Sequence, residues 1–299
     1  MLAVAAEGAL AAQLILLNSN DKVSTCSAME AIVVKAEELL RSGQLNEALA
    51  ALESEIRADP ANAKLRVFLF QLLCVLGDWE RALTQLNTAA ELDAVNLLMA
   101  QVCRTAISCE VFRSEIFAGK RSPLVFGEPD EWVAWFIQAN QMIAEGKYEA
   151  SQTLRDRAFE AAPAIPGSVD GRCFQWIADA DSRFGPVLEA IIDGKYYWVP
   201  FTAIKQIRIE EPTDLRDTVW IPAQFTWVNG GEATGLMPTR YPDSEANEDN
   251  AIRLARKTEW IEQPGGVNLG LGQRMFATDE DDLPLLQIRQ IDLDHSESD

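Results

Sequence analysis

The chain has 299 residues, 48% of them hydrophobic and 24% charged, so its composition is that of a globular protein and excludes wholesale disorder. Twenty-six Lys and Arg against 46 Asp and Glu give a net charge of −20, which argues against nucleic acid or an anionic membrane as a partner. At about 100–200 residues per domain, this length suggests two domains. The sequence has no run of about 18 uninterrupted apolar residues, so we expect no transmembrane helix.

The cysteines and the single histidine limit the chemistry of the chain. The five cysteines form no CxxC pair and are odd in number, so we expect reduced thiols in a cytoplasmic protein: Cys26, Cys74, Cys103, Cys109 and Cys173. The one histidine, His295, lies in an acidic tail. A histidine base for a Ser or Cys nucleophile and a His-rich metal site are therefore not expected.

Residues 1–28 precede the first strong helical pattern. They include the apolar run Leu14–Leu17, but no Lys or Arg comes before it, so the positive region of a signal peptide is missing. We interpret residues 1–28 as a disordered or weakly helical extension. Helical sequence begins at Met29, which is therefore an alternative start to Met1.

The first half contains a repeat. Residues 43–49 (Gly-Gln-Leu-Asn-Glu-Ala-Leu) align with residues 77–83 (Gly-Asp-Trp-Glu-Arg-Ala-Leu) at an offset of 34, the period of tetratricopeptide repeats. The glycines fall at expected turns between helices, and the alanines fall where two helices must approach closely. Asp59-Pro60 ends the first unit, because proline disfavours helix in the residue before it.

Later segments extend this pattern. Gly146 to Ala150 form a third copy at an offset of 103 from Gly43, about three periods. Asn96–Gly119 and Asp130–Glu145 have helical spacing and are joined by a predicted loop, Lys120–Pro129. We therefore predict a TPR-like helical superhelix over residues 29–165, with an ordinary helical bundle as the alternative. A stack of such repeats leaves a concave groove that holds peptides or helices.

The second half has a different pattern. Helical periodicity fades at Pro163–Gly167, and we expect two more helices, around Cys173–Ala180 and Pro186–Asp193. Aromatic and β-branched runs predict strands, the second with a bulge or at a sheet edge, at residues 195–199, 204–209, 218–221, 223–228 and 285–291. Asn229-Gly230 predicts a hairpin. Prolines should keep the strands short or at edges; they are Pro200, Pro212, Pro222, Pro238 and Pro242.

The predicted fold class is therefore α+β and multidomain. The TPR-like superhelix precedes a small α+β domain, residues 166–292, whose antiparallel sheet is either open or curled into a partial barrel. Residues 293–299 are interpreted as a solvated acidic tail.

Three polar or glycine-rich segments are candidates for chemistry. Asp179 and Asp181 could hold Mg²⁺ or Ca²⁺, but Arg183 stands where a calcium loop needs a third acid, so an Asp–Arg ion pair that caps a helix is the favoured interpretation. Gly265–Gly272 lacks the residues of a phosphate loop or a dinucleotide fingerprint. Arg253–Thr258 is basic but bracketed by acids, which favours a solvated face.

A series of motifs runs through the second half. It comprises W-x-x-D-x-D-x-R-x-G-P-x-x-E at 176–189, G-x-Y-x-W-x-P-F at 194–201, P-x-x-L-R-D-x-x-W-x-P-A at 212–223, L-x-P-x-R-Y-P at 236–242, R-L-x-R-x-T-x-W at 253–260 and G-x-G-x-R at 270–274. This series resembles the ImpE family, also called SciE or TagJ, of bacterial type VI secretion accessory proteins. The resemblance spans roughly residues 30–292.

The resemblance implies a cytoplasmic, non-enzymatic adaptor. Such an adaptor would bind the N-terminal helix of the small sheath subunit, TssB, and would be linked to sheath turnover by the ClpV ATPase. No catalytic, cofactor-binding or metal-binding residue is implied. A metal-dependent enzyme or regulator that uses Asp179 and Asp181 is the alternative. The structural or interaction candidates from the motifs are Trp176, Asp179, Asp181, Arg183, Gly185, Pro186, Tyr196, Trp198, Pro200, Asp217, Trp220, Arg240, Tyr241 and Trp260.

Overall fold

The fold is seen in a computed structural model that describes residues 36–128 and 130–295. The predicted extension 1–28, the alternative start Met29 and residues 296–299 lie outside the described residues. The first half is helical, and residues 36–41 are the first helical residues described. They are followed by α1 Leu45–Ala58, α2 Ala63–Val75, α3 Trp79–Leu92, α4 Leu97–Phe117, α5 Glu131–Ala144 and α6 Tyr148–Ala161.

The helices pair as the repeat pattern predicts. Gly43, Gly77 and Gly146 each follow a helix and have φ of +76°, +73° and +72°, a conformation that glycine adopts without steric cost. Ala48 and Ala82 are fully buried where neighbouring helices meet. α2 packs on α3, and α5 packs on α6, so successive helices form antiparallel pairs.

The segment between α4 and α5 is more than a loop. It contains the short strand β1, Leu124–Val125, which pairs in parallel with a strand of the second half. The prediction of a plain loop over Lys120–Pro129 is therefore corrected, because this segment joins the helices to the sheet.

The second half is built of strands. They are β2 Gly167–Val169, β3 Arg172–Phe174, β4 Ile177–Asp179, β5 Val187–Ile192, β6 Lys195–Pro200, β7 Ile204–Ile209, β8 Trp220–Trp227, β9 Glu232–Pro238, β10 Thr258–Gln263, β11 Val267–Gly272, β12 Met275–Thr278, β13 Asp282–Pro284 and β14 Gln290–Leu293, with a short helix α7 Asn250–Arg253.

Most strands join one nine-stranded sheet. Its order is β1-β6-β5-β9-β8-β7-β14-β2-β3, and β10-β11 and β13-β12-β4 form two smaller sheets. Apart from β1 and β6, all neighbouring strands are antiparallel. The large sheet has β1 and β3 at its edges, so the pairings show an antiparallel sheet and do not show a partial barrel.

The predictions of two helices in the second half are wrong. The segments around Cys173–Ala180 and Pro186–Asp193 form strands β3, β4 and β5 instead. Every residue of β5 is buried, including Glu189, and a short segment without apolar–polar alternation does not reveal whether it will form a buried helix or a buried strand. The helix that the Asp–Arg ion pair was expected to cap therefore does not form.

Other strand predictions are confirmed. β6 and β7 lie where predicted, and the register of β7 shifts between Ile204 and Gln206, as a bulge requires. Asn229-Gly230 turns β8 into β9. The run at 285–291 begins as a 3-10 turn and becomes β14, which extends to Leu293, one residue into the predicted tail.

The expectation that proline keeps strands short or at edges fails at Pro222 and Pro238, which lie in the interior strands β8 and β9 of eight and seven residues. Residues 218–221 and 223–228 were expected as two strands but join through Pro222. The pairing of β7 with β8 ends at Ala223, so no β7 carbonyl faces the missing N–H of Pro222.

One hydrophobic cluster crosses from the helices (residues 36–161, here the helical half) into the strands (residues 167–293, the sheet half). It joins the buried residues of α1 to α6 to Val187, Trp198, Trp220 and Tyr241. A second cluster lies within the sheet half. Helix gives way to strand between Ala161 and Gly167, but separate folding domains at 29–165 and 166–292 stay a prediction.

Candidate functional site

The predicted Asp–Arg ion pair lies in the turn between β4 and β5. The guanidinium of Arg183 donates to Asp181 with Nε to Oδ1 at 3.0 Å and Nη2 to Oδ2 at 2.6 Å. The backbone N–H of Gly270 also donates to Asp181 Oδ2 at 2.5 Å, and the carbonyl of Gly270 accepts from Arg183 Nη2 at 2.8 Å. The pair thus fastens β11 to this turn.

Asp179 lies beside this pair and is equally well partnered. Its carboxylate accepts from Arg274 Nη1, from the Tyr241 hydroxyl at 3.0 Å and from the backbone N–H of Asp181 at 2.9 Å. Asp179 and Asp181 are both buried. Their oxygens are occupied by protein donors, and the described residues contain no group of three or more His, Cys, Asp or Glu that could hold a metal ion.

A chain of buried charges continues into the helical half. Arg274 Nη2 donates to Glu189 on β5, and the same carboxylate accepts from Arg113 of α4 at 2.5 Å through Nε and at 2.8 Å through Nη2. Arg113 also pairs with Glu110 one turn earlier, at 3.3 Å. We call Asp179, Glu189, Arg274, Arg113 and Glu110 the buried charge network.

Aromatic hydrogen-bond donors complete the buried charge network. The Tyr196 hydroxyl donates to Glu189, and Trp198 Nε1 donates to the Tyr196 oxygen at 3.0 Å. Trp220 Nε1 donates to Glu110 Oε1 at 2.8 Å. Since a buried charge without a partner is costly, this full set of partners explains why the charges are tolerated in the core.

A second set of arginines holds carbonyl groups at helix ends. Arg240 donates to the carbonyl of Val75 at 2.7 Å and to that of Cys74 at 3.3 Å, at the end of α2. Arg256 donates to the carbonyls of Leu40 and Arg41, at 2.8 and 2.9 Å. These last carbonyls of a helix have no partner within it, so the sheet half caps two helices of the repeat.

Arg253–Thr258 is therefore not simply a solvated face. Arg256 points into the helical half, Ala255 is buried, and Asn250 of α7 donates to the carbonyl of Gly43 at 2.7 Å. The 3-10 turn Leu215–Thr218 packs on α2. The sheet half thus covers the ends of two helices of the helical half and one side of α2.

Two glycines of the motif allow close packing. A Cβ on Gly185 would lie 2.4 Å from the ring of Phe136 on α5, and a Cβ on Gly270 would lie 2.3 Å from the ring of Tyr241. Both distances are far below van der Waals contact. Gly185 is therefore required for α5 to pack on the β4–β5 turn.

The remaining candidates have separate places. Pro186 and Pro200 flank the β5–β6 hairpin, and Asp217 accepts from the backbone N–H groups of Thr213 and Asp214 at 2.7 and 2.9 Å. Trp176 and Trp260 are partly exposed, at 40% and 42%, so they do not belong to the buried charge network.

Burial changes the ionisation of several groups. It raises the pKa of Asp179 to about 6, against the lowering effect of the Arg274 guanidinium. Burial lowers the pKa of Arg274. It also lowers the pKa of Arg155 to about 10, and Arg155 forms no ion pair within the described residues. Burial also raises the pKa of Cys109 to about 11, so this thiol is protonated at neutral pH.

Sequence reasoning missed Glu110 and Arg113. They lie on the face of α4 that also buries Cys103, Ala106 and Ile116. An acid and a base three residues apart on an otherwise apolar helical face are the signal that could have found them.

Comparison with known proteins agrees with this architecture. A family model described as ImpE protein matches residues 171–292, and a tetratricopeptide repeat model matches residues 39–102. The crystal structure of a Vibrio parahaemolyticus protein superposes with a TM-score of 0.80 at 28% identity, covering 88% of this chain and 99% of that one. No helix within the described residues is long and apolar enough to cross a membrane.

A curated relative extends the match over nearly the whole chain. The type VI secretion system accessory component TagJ of Pseudomonas aeruginosa is 48% identical over 267 residues, which is 89% of this chain and 94% of the relative. This identity and coverage show a common family, and the ImpE family model and the shared fold agree with it. The chain therefore belongs to the ImpE family, whose Pseudomonas aeruginosa member is TagJ.

Proposed function

We propose that this protein is a cytoplasmic adaptor of the type VI secretion system. It binds the N-terminal helix of a TssB-like small sheath subunit and modulates sheath assembly or disassembly by the ClpV ATPase. The observation that carries the proposal is the 48% identity to an accessory component of that system over 267 residues. The repeat helices support it, because helical repeats are common scaffolds for binding peptides and helices.

The chemistry of the chain fits binding better than catalysis. The carboxylates of Asp179 and Asp181 are engaged by Arg274 and Arg183, so they are not available as a base or as metal ligands. No observation favours the metal-dependent alternative. The net charge of −20 disfavours nucleic acid and anionic membranes, so we propose protein partners.

The covering of α2 by the sheet half affects where a partner helix can bind. The sheet half packs on α2 and caps it through Arg240, so a helix could enter there only by displacing residues that share one hydrophobic core. Displacement on that scale would expose buried charge. The proposed partner helix therefore docks on a surface that is already exposed.

The test is a binding titration of the full chain with the small sheath subunit of the same organism. The intact subunit should bind at tens of micromolar or tighter, and a subunit that lacks its N-terminal helix should bind at least about tenfold more weakly, a loss of 1.4 kcal/mol. Equal binding of the two subunits, or no binding of either, would contradict the proposal. Addition of the chain should also change the rate at which ClpV disassembles sheaths in vitro.

A further inference from the structure

The helical half exposes three large apolar side chains at one tip. Leu92 ends α3, Val95 lies in the 3-10 turn Ala94–Asn96, and Leu97 begins α4; they are 42%, 75% and 54% exposed. We call these three residues the apolar corner. The turn is held by Asp93, which accepts from the backbone N–H of Val95 at 3.0 Å, and by Asn96, which donates to the carbonyl of Ala89 at 3.2 Å.

The repeat itself does not require these side chains. At the preceding boundary, 34 residues earlier, the equivalent positions are Ala58, Ala61 and Ala63, while Asp and Asn are kept at 59 and 62 as at 93 and 96. A connection of the same length between two helices thus forms with alanine at all three positions, although residues 59–62 form a turn and Ala94–Asn96 a 3-10 helix. Exposing three large apolar side chains to water is unfavourable, and a patch of this kind marks an interaction surface.

The chemistry around the corner specifies the kind of partner. Glu91 and Asp93 flank it and belong to no ion pair within the described residues. The corner offers no strand edge, so an extended segment cannot add to it through backbone hydrogen bonds, whereas an amphipathic helix needs only side-chain contacts. Acidic flanks favour Lys or Arg beside the apolar stripe of that helix.

The geometry points to the apolar corner as the docking site for an amphipathic helix that carries an apolar stripe with basic flanks. This assignment rests on the proposed function, and it identifies the surface that the sheath-subunit helix uses. The corner is exposed without any displacement of the sheet half, unlike the side of α2 that the sheet half covers.

The test replaces the apolar corner with the alanines that occupy the equivalent positions 34 residues earlier. The triple variant Leu92→Ala, Val95→Ala, Leu97→Ala carries only residues that this fold already accepts there, and Val228→Ala removes a comparably exposed side chain, 48% exposed, at the β8–β9 turn. Calorimetric titration of each full-length protein with a peptide of the small sheath subunit's N-terminal helix gives the affinities. Circular dichroism melting reports that the variants fold.

We expect the triple variant to bind at least about tenfold more weakly than the wild type, and Val228→Ala to stay within about twofold. Val95→Asp alone should also bind at least about tenfold more weakly, because it places a charge in the contact. Glu91→Gln should weaken binding at low salt, and this difference should disappear at about 0.5 M NaCl, where charges are screened.

The outcomes separate the two proposals. If the wild type binds the peptide and the triple variant binds it with the same affinity, the docking assignment is wrong and the proposed function still stands. No binding of the wild-type protein would overturn the proposed function and the docking assignment together. If the affinity of the wild type does not fall as the salt concentration rises, the claim that the partner helix has basic flanks is wrong.

Discussion

At the scale of single residues, the buried charge network dominates the energetics. Glu189 accepts from Arg113, Arg274 and the Tyr196 hydroxyl, and it is buried. A buried ion pair adds little net stability over an apolar pair, but the loss of one partner leaves the other charge buried and unpaired. The network therefore specifies how the two halves dock, and it is sensitive to any single change.

Glu189→Gln should destabilise the protein by about 3–5 kcal/mol. The amide keeps the shape but leaves the guanidinium groups of Arg113 and Arg274 without a full countercharge. Urea denaturation measures the change in the free energy of unfolding. The control Glu160→Gln alters an exposed carboxylate on α6 and should change stability by less than about 0.5 kcal/mol. A loss below about 1 kcal/mol for Glu189→Gln would contradict this account.

Asp179 gives a prediction about pH. Its pKa is raised from 3.8 to about 6 in the folded protein, so between these values the folded state holds a proton that the unfolded state has released. Asp179 therefore contributes more stability at low pH, and this contribution is lost as the pH rises through about 6. The stability of the wild type relative to Asp179→Asn, which does not titrate, should rise as the pH falls from 7 to 4.5. The opposite slope would show that Arg274 outweighs burial.

At the scale of secondary-structure elements, the sequence predicted those whose pattern is local. The glycine turns at Gly43 and Gly77, the bulge in β7 and the Asn229-Gly230 hairpin depend on residues close in sequence, and all were predicted. β5 was mistaken for a helix because it is buried on both faces, so its residues lack alternation.

The candidate site was predicted only in part, for a related reason. The ion pair of Asp181 and Arg183 spans two residues and was expected. The two arginine partners of Glu189 are 76 and 85 residues away in the sequence, and no local pattern reveals which distant charges will meet. The covering of α2 by the sheet half was not predicted either, since it depends on how the two halves pack.

The contact of α5 with the β4–β5 turn can be tested through Gly185. Gly185→Ala should destabilise the protein by about 1–3 kcal/mol, because its Cβ would lie 2.4 Å from the Phe136 ring. Thermal melting measures the loss. The double variant Gly185→Ala, Phe136→Leu should lose less stability than the sum of the losses of the two single variants, because the smaller leucine side chain leaves room for the alanine methyl group. Additive losses would contradict a direct clash.

At the scale of the whole molecule, the two halves should unfold together. One hydrophobic cluster joins the helices to the sheet, and Arg240 and Arg256 cap helices across the boundary. We expect a single transition in which helical circular dichroism and tryptophan fluorescence coincide; five of the eight tryptophans lie in the sheet half. Glu189→Gln should move both signals equally. Two separate transitions would mean that the interface is weaker than its contacts indicate.

We expect the partner helix to bind outside the interface between the two halves. Hydrogen–deuterium exchange of the full-length protein, with and without the peptide of the sheath subunit's N-terminal helix, tests this claim most directly, because it reports protection along the whole chain. We predict slower exchange across residues 91–100 and unchanged exchange across residues 65–75 and 238–256. Faster exchange in these last two segments, with no protection at 91–100, would show that the helix displaces the sheet half and would contradict the account.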